Sequence, residues 1–239
     1  DVPRKLIMVV TALVLIVSSA CLLAQGAFTL AASPTFEALV TVGDFALLGI
    51  ILYLGARLKN QIVIWLSVAQ IAGLAFLDFA LVDHAAKTPA FYVDNLSLIM
   101  VAIVSMIGSL IGVYALGYMR EHEAHLHLEK SRQPRFFFFI LLFLGAMNGL
   151  VMCDSLAWMY FFWEITTLCS FVLIGHDDTE IARKNAERAL WMNVVGGAAF
   201  VLGLILLQKA AGTLSLQALL SMAPDMAQSG LFVVPLFRL

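Results

Sequence analysis

Trp158-Met-Tyr-Phe-Phe-Trp-Glu-Ile-Thr-Thr-Leu-Cys-Ser-Phe-Val-Leu-Ile-Gly175 carries a single formal charge, the carboxylate of Glu164. Counted from Asp154, where the apolar run begins, Glu164 lies ten residues in. At helical rise that is roughly 15 Å, or about half of a ~30 Å hydrocarbon core. An acidic side chain at that depth costs roughly 2.5 to 3.5 kcal/mol on insertion scales, so a chain that keeps one uses it to move an ion or proton, or pairs it inside a bundle.

The rest of the chain supplies the bilayer. It has 62% hydrophobic and 13% charged residues and a mean hydropathy of +0.96, whereas soluble domains hold about 45–50% apolar and about 25% charged residues. The composition predicts an all-α, polytopic transmembrane bundle. Apolar segments suit helices at about 6–25, 36–57, 61–82, 95–118, 136–153, 155–175 and 187–208, with an eighth beginning near Leu231. Leu6 to Leu23 has the length of a signal peptide, but similar segments follow throughout, so it reads as a span.

The connectors alternate in charge. Eleven basic residues, among them Lys5, Arg57, Lys59, Arg120, Arg132, Arg183 and Arg188, fall on one side, and only Lys87 and Lys209 on the other. The positive-inside rule therefore puts residues 120–135 and 176–188 in the cytoplasm of a bacterial or archaeal inner membrane. A chain that starts at Asp1 and stops at Arg238-Leu239, early in an apolar segment, reads as a fragment of a longer protein.

Several function classes lack support. The net charge is −2 with no basic, aromatic-interleaved block, which gives no reason to expect nucleic-acid binding. No Gly-rich phosphate loop, nucleophile elbow or HExxH is present, so no catalytic, cofactor-binding or metal-binding residues are assigned. Cys21, Cys153 and Cys169 lie in or beside apolar segments without CxxC spacing and read as buried packing residues. Glu121-His-Glu-Ala-His-Leu-His-Leu-Glu129 matches no common zinc spacing and reads as a solvated loop.

Local signals fit the spans. Asp94 before Asn-Leu-Ser97 suits an N-cap of the fourth helix, and Asp154-Ser155 suits one for the sixth. Glu180, Lys184 and Arg188 form one stripe at the start of the seventh. Two further acids lie in or near spans: Asp44 is the deeper, and Asp78 sits near the interface. Tyr160, Thr167 and Ser170 lie near Glu164 on its helix and suit hydrogen bonding to it or to water.

The ordered set Phe91-Tyr-Val-Asp-Asn-Leu-Ser-Leu98, Tyr114-Ala-Leu-Gly-Tyr-Met119 and Trp163 to Gly175 resembles the antiporter-like membrane subunits of complex I (subunit L type), of multisubunit cation/proton antiporters and of energy-converting [NiFe] hydrogenases. The resemblance covers roughly residues 91 to 225. It divides the chain into three accessory N-terminal helices, 1–90, and a partial translocation module, 91–239. Two extra helices before Phe91 and the stretch Ala189-Leu-Trp-Met-Asn-Val-Val-Gly-Gly197 look most like the hydrogenase branch. Subunit L carries an Arg and an Asp in that stretch; Val194 and Gly197 stand in their place, leaving Arg188 as the nearby basic position.

The resemblance implies a proton half-channel in which Glu164 interacts with a lysine on the next, broken helix, beyond Leu239, and a further helix before Asp1. Arg188, Lys184 and Asp44 are secondary candidates for the proton path. It implies a non-redox, ion-translocating subunit that binds no cofactor itself, while partner membrane and peripheral subunits carry Fe–S clusters and NiFe or flavin. The leading expectation is a proton- or sodium-translocating subunit of a redox-driven, hydrogenase- or complex I-like assembly. The alternatives are a cation/proton antiporter subunit not driven by redox chemistry and a structural membrane anchor.

Overall fold

The computed structural model describes residues 2–82, 89–125 and 131–228. Its elements are α1 (Val2–Gln25), β1 (Phe28–Leu30), α2 (Pro34–Arg57), α3 (Gln61–Phe76), a π-helical turn (Leu77–Leu81), β2 (Phe91–Val93), α4 (Asn95–His125), α5 (Gln133–Met152), α6 (Leu156–Ile174), α7 (Glu180–Ala211) and α8 (Leu216–Gln228). The first seven helices are each long and apolar enough to cross a membrane, as the sequence predicts. The fold is an all-helical membrane bundle whose polar groups turn inward, while apolar side chains such as Leu13, Trp65 and Leu110 face out. That polarity suits a chain whose solvent is lipid.

The helices alternate in direction, giving the bundle a charged end and a strand end. At the strand end β1 and β2 pair antiparallel, with Phe28 opposite Val93 and Leu30 opposite Phe91. These strands are too short to show in hydropathy. The Phe91–Leu98 motif thus has a structural meaning: three residues form β2, and Asp94 then caps α4 by accepting the Ser97 amide at 2.7 Å. Backbone hydrogen bonding holds the Asp94 carboxyl below the usual carboxylate range.

Asp154 does not cap α6 as expected. Ser155 is the N-cap of that helix and makes no side-chain cap bond. The Asp154 carboxylate instead accepts the Ser215 hydroxyl at 2.6 Å and the Gln217 amide at 2.9 Å, fastening the start of α8. Helix α8 was not expected; the apolar segment near Leu231 lies outside the described residues.

The charged end also differs from expectation. α4 continues to His125, so the first part of the segment read as a loop is helix, and residues 126–130 lie outside the described residues. The extension is held by His122, which pairs with Asp177 at 2.8 Å, and by Glu123, which accepts from the Arg132 amide at 2.6 Å and from Gln133 Nε2 at 2.7 Å. α7 starts at Glu180, earlier than hydropathy suggests, because Thr179 caps it by accepting the Ala182 amide at 3.1 Å. Cys153 and Cys169 are buried as expected, but Cys21 is exposed on the outer face of α1.

The core follows from helix pairing. α1 packs on α4, α4 on α5, α5 on α6 and α6 on α7, while the α2–α3 hairpin lies against α6 and α7. Leu48, Leu74, Tyr160, Val201 and Leu204 form the buried cluster where α2, α3, α6 and α7 meet. Small residues permit these approaches, as is usual where helices associate in lipid. A Cβ on Gly43 of α2 would sit 2.7 Å from the Phe161 ring of α6.

Candidate functional site

Glu164 is the ninth of the nineteen residues of α6 and is fully buried. One turn before it Tyr160 is fully buried too, and one turn after it Thr167 is buried, with its hydroxyl donating to the Trp163 carbonyl at 3.2 Å. The helical repeat places all three on one face, which is the inner one. Ser170 is half-buried on the same helix.

Two helices meet Glu164 from across the bundle. A Cβ added at Gly197 of α7 would strike both Gln70 Nε2 of α3 and Glu164 Oε1. Gly197 is therefore a notch in which a carboxyl and a carboxamide from different helices converge. Gln70 is buried and donates through Nε2 to the Val194 carbonyl at 3.0 Å. The sequence reading missed Gln70, although a lone amide inside the apolar run of α3 is a signal of the same kind as Glu164. Where the resemblance puts an Arg and an Asp, Val194 offers a backbone acceptor and Gly197 offers space.

The site is rich in unpartnered polar atoms. Both Glu164 oxygens, Tyr160 Oη, Gln70 Oε1 and Ser67 Oγ are buried without a hydrogen-bond partner of good geometry among the described protein groups. Each such atom costs about 1–3 kcal/mol unless water or an ion satisfies it. Asp44 of α2 extends the set towards the strand end. It is buried, its Oδ1 has no partner of that kind, and it lies within electrostatic range of Glu164 and Asp78. Tyr160 lies within range of both Asp44 and Glu164.

The structure does not gather every candidate here. Lys184 is exposed and pairs with Glu180 at 2.8 Å, and Arg188 is exposed on α7, nine residues from Gly197. Both belong to the charged end. There, Arg132 and Arg135 donate to the His176 carbonyl at 3.2 and 3.0 Å, while the His176 ring is buried against Phe136.

With this geometry the chain was compared with known proteins. Residues 82–137 match the family described as NADH-Ubiquinone oxidoreductase (complex I), chain 5 N-terminus. Residues 153–238 match NADH:quinone oxidoreductase/Mrp antiporter, TM. Among curated relatives, the Na(+)/H(+) antiporter subunit A1 of Staphylococcus haemolyticus is 35% identical over 152 residues, covering 63% of this chain and 18% of the relative. Subunit A1 of Staphylococcus epidermidis is 37% identical over 153 residues, with the same coverage of each. That of Staphylococcus aureus is 34% identical over 152 residues, again 63% and 18%. The chain thus spans about a fifth of the length of these relatives, and their names are those of antiporters where the sequence resemblance leaned to the hydrogenase branch. α2 and α3 precede both matched stretches. Glu164, its flanking residues and the Gly197 notch fall within the second of them, so the likeness to the complex I chain 5 and Mrp antiporter families, carried by residues 82–137 and 153–238, includes the site.

Proposed function

We propose that this chain is an ion-translocating part of a multisubunit cation/proton antiporter, in which Glu164 takes up and releases a proton at mid-membrane. The observation that carries the reading is a fully buried carboxyl in the middle of a span, with no hydrogen bond of good geometry to the described protein groups and Tyr160 within reach one turn away. In a low-dielectric interior the approach of a cation favours the carboxylate and its departure favours the acid. Proton movement and cation movement are thereby exchanged at one pair of oxygens. Tyr160 and Gln70 flank the carboxyl with groups that donate and accept, and both suit a chain of ordered water.

The antiporter names of the relatives favour gradient-driven exchange over the redox-driven assembly. The second reading, a hydrogenase- or complex I-like complex, is supported by the complex I name of the first matched family. In either case the partners are further subunits of a membrane assembly, and the Lys/Arg-rich end is placed in the cytoplasm by the positive-inside rule.

The test uses the intact complex in everted vesicles with a pH-sensitive dye. A sodium- or potassium-evoked proton flux that needs no electron donor, and that Glu164→Gln removes, is the expected result. Flux that appears only with a redox donor would move the assignment to the second reading. Wild-type flux in the Gln variant would leave Glu164 a packing residue.

A further inference from the structure

A cleft of about 180 Å³ opens at the strand end between α2, the π-helical turn, the start of α6 and the end of α7. Three of its described lining residues, Glu37, Asp44 and Asp78, are acids, and none of them is basic. Glu37 is exposed at the mouth, while Asp44 forms the inner wall at 4% exposure. The two are seven residues apart on α2, two turns along one helical face and roughly 10 Å in depth. The π-helical turn carries Asp78 in its first turn and is fixed to α7 by Gln208 Nε2, which donates to the Leu81 carbonyl at 3.2 Å.

The inner end of this cleft makes it more than a group of acids. Asp44 lines the cleft, and its buried Oδ1 has no hydrogen-bond partner among the described groups. On the far side, Asp44 is within electrostatic range of Glu164, and the buried Tyr160 is within range of both. The close approach of Gly43 to the Phe161 ring brings α2 near enough to α6 for this coupling. The carboxyls facing Asp44 are thus Glu37 on its own helix, Asp78 on the π-helical turn and Glu164 on α6.

We propose that this cleft is an access vestibule for a monovalent cation, its acids supplied by α2 and the turn after α3, in which Asp44 relays the ion between the strand-end surface and Glu164. Glu37 and Asp44 are set apart along α2, and among the described residues no three His, Cys, Asp or Glu side chains are grouped to hold a metal ion. Separated carboxylates suit transient passage of a weakly held ion, whereas a divalent cation needs several oxygens at once. Its three acids precede residue 82, outside both matched family stretches, while the wall from α6 and α7 lies within the second of them. The proposal rests on the reading of Glu164 for its inner end only.

The experiment reads the cleft without reading transport. Thr41, which lines it, is changed to Cys in a Cys21→Ser chain, and the assembled complex is treated from the strand-end side with cationic or anionic methanethiosulfonate reagents of similar size. The cationic reagent should react on the order of tenfold faster or more, as a cleft whose described charged residues are all acids concentrates counter-ions. Asp44→Asn should bring the two rates together, and Glu37→Gln, at the exposed mouth, should do so in part. Sodium at constant pH will slow the cationic reaction if sodium enters; acidification alone will slow it if only protons do. Equal rates for both reagents, a preference that survives Asp44→Asn, or no slowing by either ion would each overturn the vestibule. Glu164→Gln should leave the labelling preference intact while proton flux is lost, so failure of the vestibule and failure of the Glu164 reading give different results.

Discussion

Asp154 and Glu164 are carboxylates ten residues apart in sequence, at 1% and 0% exposure, and the protein treats them in opposite ways. Asp154 at the strand end accepts from Ser215 Oγ and the Gln217 amide, and its own backbone bonds to Ala90 and Leu216. It is a structural clip between β2, α6 and α8. Glu164 at mid-bundle accepts no hydrogen bond of good geometry from the described protein groups, and across the bundle it lies against a glycine notch with an amide in it. Burial alone therefore does not identify a working carboxylate. The partners distinguish them: a satisfied buried acid stabilises a fold, whereas one without a well-formed protein partner opposes folding unless water or an ion reaches it.

The comparison breaks most sharply if the two acids are neutralised separately. Glu164→Gln should lower coupled flux on the order of 100-fold or more, as loss of a proton-transfer group does, with normal assembly. Glu164→Asp, which keeps the carboxyl on a shorter arm, should retain more. Asp154→Ala removes two hydrogen bonds to a charged acceptor, worth roughly 1.5–3 kcal/mol each, and should reduce the level and melting temperature of the complex. The Asp154 protein that does assemble should transport at near the normal rate per molecule. Flux per assembled complex and thermal melting measured together decide it, and a stability loss confined to the Glu164 variant would invert the assignment.

The glycine notch sharpens the same contrast. Gly197→Val pushes carbon into the space shared by Gln70 and Glu164 and should cost about 1–3 kcal/mol by overpacking, together with a loss of flux. Gly203 lies on the same helix with nothing within 4 Å of its added Cβ, so Gly203→Ala should leave both nearly unchanged. Equal effects at the two glycines in melting and flux assays would remove the notch from the site.

A smaller effect is expected at Gln70. Gln70→Leu loses the bond to the Val194 carbonyl, about 1 kcal/mol, yet also removes a buried oxygen that lacks a protein partner. Stability should therefore change little while flux falls, a split that a simple packing residue would not give. The smallest effect belongs to the charged end. Burial, then the neighbouring Arg135, hold the His176 ring below its usual 6.5, against the opposing pull of Asp177 and Glu123. With the folded value depressed, its stability is complete above about 6.5 and is lost as pH falls through the folded value. Melting in detergent should show a shallow acid-side decline that His176→Gln flattens.

Much of this was legible in the chain. A bilayer imposes a one-dimensional test, roughly 20 apolar residues per crossing, and the seven spans and the mid-depth position of Glu164 follow from it. Asp94 was legible as a cap because capping is local. Asp154 misled for the same reason: it has the sequence of a cap, but its strongest partners are Ser215 and Gln217, 61 and 63 residues away. Strands β1 and β2 were missed because three residues carry no usable periodicity, and α8 because it is too short to register as a span.

The sequence by itself determined that the chain lives in a membrane, how often it can cross, and that one carboxylate sits at the centre of an apolar span. Those are properties of segments, set by the mismatch between charge and hydrocarbon. Only the tertiary structure decided which polar residues meet. Gln70, Asp44 and Glu164 lie on three helices, and whether they converge depends on the rotation of each helix and on how closely its glycines let it approach. Gly43 and Gly197 set those approaches through contacts far apart in sequence, and no local pattern encodes them.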